Sequence, residues 1–400
     1  MNVRRILRPV ARLVRISLTW LDLALGIVFS IPFWIWSWRR PVQVQLVSVA
    51  RVGHLVAYPE IFLASSIDGA RSAKGLWIYP EGRVSNLALL NKWRQVFRIG
   101  PSWLLGPVHR ASVRFAWKRF SDEDWPYGTD ADLRPLDRCS PGWSFDSSEK
   151  ARGMKIFGQL NLDKDQPFIC LAVRDGVYLR ATIPNMNWDY HDYRDTKISD
   201  YELMAAEFAN RGYAVVRMGR VVETSLSTAN PHVIDYATST FRSDFADLWL
   251  FANCAFCVST STGMDAMAWG QRRPVCNVNI GGFASLRLGQ LMKLVMFKDI
   301  VDVDTGEVLG LLDERRRQAM AFGHISDLAT MGLQFRDNTP AELASFAVEM
   351  VDLLEGRWQP TPEQIEVEQE FLSRIPGPLD FTQANFHISP SWLRSHSQVE

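Results

Sequence analysis

Hydrophobic and polar positions change rhythm several times along the 400-residue chain. Arg5, Arg8, Arg12 and Arg15 recur at helical steps and predict one basic face of an amphipathic helix, with Pro9 in its first turn or at a kink. Residues 16–38 follow, apolar throughout except for Asp22, and such a run is long enough to cross a bilayer. Residues 42–50 (VQVQLVSVA) alternate and predict a strand. Arg51-Val-Gly-His and a helix beginning near 59–66 complete a strand, Gly loop and helix, the opening of an α/β unit. A second strand is expected at 75–79 and a helix through 86–97. Residues 101–150 lack periodicity and are rich in Pro, Trp and Asp, which predicts a helical and loop insertion.

A second α/β series starts near 165. Residues 167–173 (PFICLAV) predict a buried strand, and 177–198 a long polar loop. A helix is expected over 199–210, opened by a Ser199–Glu202 capping box and ended by Gly212. Strands at 213–217, 232–236, 255–259 and 274–278 alternate with helices at 243–253 and 261–269. Short connections between alternating elements imply a parallel sheet. Thr339-Pro-Ala-Glu342 and Thr361-Pro-Glu-Gln364 mark the starts of two late helices. The fold class expected is α/β: two Rossmann-like domains facing a central cleft, after an N-terminal membrane-associated helical segment. The expected divisions are 1–40 (membrane segment), 41–160 (first domain with its 101–150 insertion), 161–355 (second domain) and 356–400 (a tail packing back on the first domain).

Composition narrows the class. The chain is 47% hydrophobic and 22% charged, which excludes a mainly disordered protein. Lys plus Arg and Asp plus Glu both number 44, so a globally basic nucleic-acid binder is not expected. The balance is uneven: residues 1–40 hold seven Arg and one acid. Trp34, Trp36 and Trp38 beside Arg39 and Arg40 suit an interfacial anchor, and no small-x-small site suggests cleavage of a signal peptide. The five cysteines do not make a disulfide framework, and Cys254-x-x-Cys257 in an apolar run reads as core thiols.

The candidate chemistry sits at strand ends, where ligands of parallel sheets bind. Ser259-Thr260-Ser261-Thr262-Gly263, with Asp265 after it, would offer hydroxyls and backbone N–H groups to an anion at a helix start. One ordinary N-cap does not need four consecutive hydroxyls. Arg174 and Asp175 end one strand, and Arg217 and Gly219 another; two arginines there would neutralise a diphosphate, although surface arginines are common. His54 after Gly53 is a candidate general base, with Glu60 a second; a His that only caps or packs is the plain alternative. The loop from Trp188 to Asp195 mixes aromatic and polar groups suited to a sugar, or to holding itself by ion pairs. Its spacing supports no metal site around His191.

Arg174-Asp175, Tyr193-Arg194-Asp195, Arg217-Met-Gly219, Asp247 and Ser261-Thr-Gly263 resemble a family of bacterial glycosyltransferases of surface-polysaccharide loci with the GT-B fold. Arg51-Val-Gly-His-Leu55 and Ile388-Ser-Pro390 fit the same family, over about residues 45–393. Residues 244–269 are similar to the donor-diphosphate turn of fucosyltransferases and heptosyltransferases, and Arg174-Asp175 to part of a His-x-Arg-Arg-x-Asp element. The resemblance implies metal-independent transfer from a nucleotide-diphosphate sugar, with no cofactor. Arg174, Arg217 and the 259–263 turn would hold the diphosphate, Tyr193, Arg194 and Asp195 would meet the sugar or acceptor, and His54 or Glu60 would be the base. It further implies a lipid-linked or membrane-held glycan acceptor at the membrane surface, on the cytoplasmic face of the bacterial inner membrane. A nucleotide-sugar hydrolase or epimerase of the same fold, and a non-catalytic membrane-attached binding protein, are the competing readings.

Overall fold

A computed structural model describes residues 3–38, 42–65, 76–117, 131–182, 189–321 and 325–397. Trp188 lies outside them, as do the Arg39-Arg40 pair and residues 118–130 of the expected insertion. The side chains of the basic stretch before Ser17, and that of His191, are likewise outside the description. The chain divides into two compact units, Met1–Gly128 and Thr129–Glu400. The boundary therefore falls earlier than the expected 155–165. The expected 101–150 insertion is split by it.

The first unit opens with helix α1 (Val3–Ser37), followed by β1 (Gln43–Ser48), α2 (Val52–Ser65), β2 (Leu76–Glu81), α3 (Leu87–Val96), β3 (Arg98–Ile99) and α4 (Ser102–Arg114). The three strands are parallel in the order β1-β2-β3, with Val44 opposite Trp77. Asn86 caps α3 by accepting from the Leu89 N–H at 2.9 Å. The buried Trp93 indole donates to the Leu55 carbonyl at 2.8 Å and ties α3 to α2.

The second unit runs α5 (Ser147–Gln159), β4 (Phe168–Ala172), α6 (Val177–Thr182), α7 (Glu202–Asn210), β5 (Ala214–Arg217), β6 (Val233–Ile234), α8 (Asp244–Asn253), β7 (Phe256–Ser259), α9 (Ala266–Gly270), β8 (Val275–Ile280) and β9 (Met292–Phe297). It continues with β10 (Asp299–Asp302), α10 (Glu314–Ala321), α11 (Ile325–Thr330), β11 (Leu333–Arg336), α12 (Pro340–Leu354), α13 (Pro362–Ser373), β12 (His387–Ile388) and α14 (Pro390–Ser397). Seven parallel strands form one sheet in the order β6-β5-β4-β7-β8-β9-β12. β10 and β11 pair separately and antiparallel. From β4 the chain steps outward through β5 to β6, then returns to lay β7 on the other side of β4. That reversal is a topological switch point, and it opens a crevice beyond the carboxyl ends of β4 and β7.

The central strands are largely apolar, and β4 wholly so, because both faces are covered: every residue of β4, β5, β7 and β8 is buried. Cys170 and Cys257 lie opposite each other in the sheet, and with Cys254 and Cys276 they are buried core thiols. The Thr339 capping box forms in full, and Thr361 accepts from the Gln364 N–H at 3.2 Å. Gly212 ends α7 with a left-handed φ of 88°.

Several expectations change. Ser199 caps nothing: a 3₁₀ turn spans Ile198–Tyr201, α7 begins after Tyr201, and the Ser199 hydroxyl points to Asp200. The expected 232–236 strand shrinks to two residues. The expected 177–198 loop contains α6 and a 3₁₀ turn at Asp189–Arg194. Residues 261–265 are a turn, leaving α9 only five residues. The tail closes its own unit: β12 pairs with β9, so it is an edge of the large sheet.

Candidate functional site

The switch-point crevice is built from one turn, one loop and three arginines. In the turn, the Ser259 hydroxyl donates to Asp265 at 2.8 Å and accepts from the Thr262 N–H at 3.0 Å. The Thr260 hydroxyl accepts from the Arg174 N–H at 2.9 Å, while the Thr260 N–H donates to the Ala172 carbonyl. This clasp locks the ends of β4 and β7 together. The Thr262 hydroxyl accepts from the Met264 N–H at 3.2 Å. Ser261 takes a left-handed φ of 57°, a conformation that costs a non-glycine residue of order 1–2 kcal/mol. Among the described residues, the N–H groups of Ser261 and Gly263 have no hydrogen-bond acceptor. The hydroxyls thus shape the turn, and two main-chain donors are left over. With α9 so short, an anion here would meet these individual N–H groups rather than a helix dipole.

The loop across the crevice is fixed on both sides. The Thr196 N–H donates to the Arg174 carbonyl at 3.1 Å. The Tyr193 ring stacks on Phe335 with centroids 5.7 Å apart. It also fills the space beside Gly281, where a Cβ would lie 2.6 Å from the ring. Arg174 pairs with Asp195 at 2.8 Å. Arg194 then reaches over the turn and donates to the Ser261 carbonyl, with the Ser261 hydroxyl 3.4 Å away. It makes no ion pair among the described residues, and its Nε is buried without a partner. Burial, followed by repulsion from Arg174 and Arg287, holds the Arg194 guanidinium below its ordinary pKa, with Asp265 opposing. Burial pushes the Asp195 carboxyl up, against Arg174.

Arg174 and Arg194 therefore stand together at the switch point, with Arg287 close enough to repel Arg194, which is half-buried and has no carboxylate of its own among the described residues. Such a cluster favours an anion with several oxygens. Beneath it, Asn277 of β8 lies opposite Ser259, fully buried, with neither end of its amide hydrogen-bonded.

The other expected residues fall elsewhere. Arg217 is turned inward and 1% exposed; it pairs with Asp235 at 3.2 Å and donates to the Thr224 carbonyl at 2.6 Å. Its expected hold on a diphosphate is corrected: it ties the ends of β5 and β6. Asp175 accepts from the Val177 and Glu223 N–H groups and fastens two loops. Gly219 makes room for Val222 and Ala237. Asp247 is buried between Tyr236 and Arg242. In the first unit, His54 lies in the first turn of α2 and stacks on Tyr58 at 5.0 Å. Glu60 is fully buried inside α2 and presents nothing to solvent, which corrects its expected role as an alternative base. Arg287 was not expected; it follows β8 in a stretch without periodicity, and only its proximity to Gly281-Gly282 hinted at it. Among the described residues no cluster of three His, Cys, Asp or Glu is placed to hold a metal ion.

The sequence matches no family model and no curated protein. Among solved structures the chain is similar to the E. coli ADP-heptose LPS heptosyltransferase II, at TM-score 0.44 and 12% identity over 79% of this chain and 99% of that one. A family 9 glycosyl transferase from Veillonella parvula aligns at TM-score 0.37 and 10% identity, over 64% and 86%. The iron-containing dodecameric glycosyltransferase TibC from enterotoxigenic E. coli aligns at 0.32 and 15%, over 63% and 62%. Likenesses this loose carry no inference about activity, which rests on the site.

Proposed function

We propose that this protein is a glycosyltransferase of the GT-B type. It moves a sugar from a nucleotide-diphosphate donor to a lipid-linked or membrane-held glycan acceptor in surface-polysaccharide synthesis. It works at the cytoplasmic face of the bacterial inner membrane. The observation that carries the reading is Arg194: a half-buried guanidinium, its Nε buried without a partner, over a strained hydroxyl turn at a switch point and repelled by two further arginines.

In this reading the diphosphate lies against Arg194 and Arg287 and the N–H groups of Ser261 and Gly263, with Arg174 behind. The bond from the sugar's anomeric carbon to the phosphate oxygen breaks with its electron pair, and the guanidinium groups stabilise the charge that develops. They supply the positive charge that a metal ion supplies in other transferases. The acceptor hydroxyl forms the new bond and gives its proton to His54.

A thermal-shift panel of UDP-, GDP-, ADP- and CMP-sugars tests this directly, since a ligand of the native state raises its stability. One nucleotide class is expected to raise the melting temperature, and Arg194→Met to abolish that rise. No shift with any class would defeat the proposal. Rapid donor hydrolysis without acceptor would favour the hydrolase reading instead.

A further inference from the structure

The apolar helix α1 is built inside out. Among the described residues it buries Gly26, Ser30, Phe33 and Ser37, three of the four small, and both serine hydroxyls bond back to their own helix. Leu18, Leu21, Val28, Ile31 and Ile35 point outward and are each more than half exposed. A helix packed in water keeps its large apolar residues inward; an inward stripe made mostly of small residues, with most large apolar ones outside, suits a helix that faces hydrocarbon.

Its inward stripe rests on α4. A Cβ on Gly26 would meet the Pro107 carbonyl and lie 2.8 Å from the Ala111 Cβ, so the two backbones touch. Asp22 pairs with Arg110 through two bonds of 2.7 Å. α4 exposes apolar groups of its own, Trp103 at 68% and Val113 at 60%. These are continuous with α1: Trp103 meets Phe29 edge-on at 6.0 Å, and Phe115 stacks on Trp117, which meets Trp34.

We infer that α1 and α4 together form a wedge that enters one leaflet of an anionic phospholipid bilayer without crossing it. This adds a second element to the N-terminal anchor expected from sequence, and it stands whether or not the transferase reading holds. At 1.5 Å per residue, α4 is about 20 Å long, too short for a hydrocarbon core of about 30 Å. A crossing α1 would drag α4 in, along with Arg110, Arg114 and the Asp22 pair. Lying in the plane, both helices bury their apolar faces and leave these charges at headgroup level. Arg110 and Arg114, with the arginines of residues 4–15, favour anionic headgroups.

The test uses the full chain with epitope tags at both ends. In spheroplasts and inverted vesicles the two tags are expected on the same side of the membrane. Purified protein is expected to float with phosphatidylglycerol vesicles and much less with phosphatidylcholine ones. Trp103→Glu and Val113→Glu are each expected to lower the vesicle-bound fraction about tenfold. Both positions are exposed, and an unchanged thermal melt and circular dichroism spectrum in detergent verify each fold. Where one variant fails that check, the other carries the test. Tags on opposite sides, unchanged binding by the α4 variants, a shortened chain released from the membrane, or a vesicle-indifferent dimer formed through this face would each overturn the inference.

Discussion

Arg194→Met separates a ligand-binding arginine from a structural one. In the ligand-free protein the substitution removes the hydrogen bond to the Ser261 carbonyl and a long one to its hydroxyl, at about 0.5–1.5 kcal/mol net each. Against this, it removes a half-buried charge repelled by Arg174 and Arg287. The two effects oppose each other, so apo stability is expected to move by no more than about 1 kcal/mol. Binding has no such compensation. One or two charge-assisted bonds to phosphate contribute about 1.5–3 kcal/mol each, so nucleoside-diphosphate affinity is expected to fall roughly a hundredfold. Arg217→Met is the counterpart. It strands the Asp235 carboxylate, itself only 12% exposed, and is expected to cost about 3–5 kcal/mol of stability while the folded fraction binds as before. Urea melts and titration calorimetry on both variants read the two quantities separately. Loss of stability without loss of affinity in Arg194→Met, or the reverse in Arg217→Met, would refute the assignment.

Three further perturbations probe the second unit. Ser261→Gly relieves the left-handed backbone and is expected to raise apo stability by up to about 1 kcal/mol while weakening the nucleotide-induced thermal shift; a stability loss without a binding effect would count against stored strain. Gly153→Ala improves helix propensity in α5, but the new Cβ would overlap the Trp249 ring, so a net loss of about 1–3 kcal/mol is expected, and a stabilised variant would refute the packing argument. Burial pushes the Asp247 carboxyl up to about 6 against the pull of Arg242 and Tyr236. The native state then holds this proton more tightly than the unfolded chain. The parent should therefore lose up to about 3 kcal/mol relative to Asp247→Asn as pH rises from about 4 through 6. Urea melts at pH 4.5 and 7.5 check the direction, and an unchanging difference would contradict it.

The strands and most caps were legible because their causes are local. Seven apolar residues between turn signals at 167–173 fit a strand buried on both faces, and Thr339 with Glu342 satisfies the helix start unaided. The hydroxyl turn after β7 was also readable, though not its division of labour. Ser259 and Thr260 are consumed in holding the turn, and what remains for a ligand is main-chain N–H. Arg217 was misread because strand ends do not reveal what the neighbouring strand carries. Asp235, at the end of β6, captures it. Arg194 was placed in the right loop with a different task, since its reach depends on Tyr193 fitting beside Gly281. No periodic pattern encodes that contact, and none encodes Arg287.

Three features that break local rules meet at one address. Ser261 is left-handed without being glycine, Arg194 is half-buried with no carboxylate among the described residues, and Asn277 is buried with an unpaired amide. Several other charges in this unit are matched by an opposite one: Arg217 has Asp235, Arg242 has Asp247, and Lys298 has Asp337 at 2.5 Å, whereas the fully buried Arg316 donates to the Leu309 and Gly310 carbonyls. A sequence shaped for stability alone would place glycine at 261 and a carboxylate beside Arg194. Three such violations meeting at a topological switch point are expected where binding, rather than folding, sets the residues. A polyanion in the crevice would satisfy two of them together, by taking the N–H groups of the strained turn and the charge of Arg194.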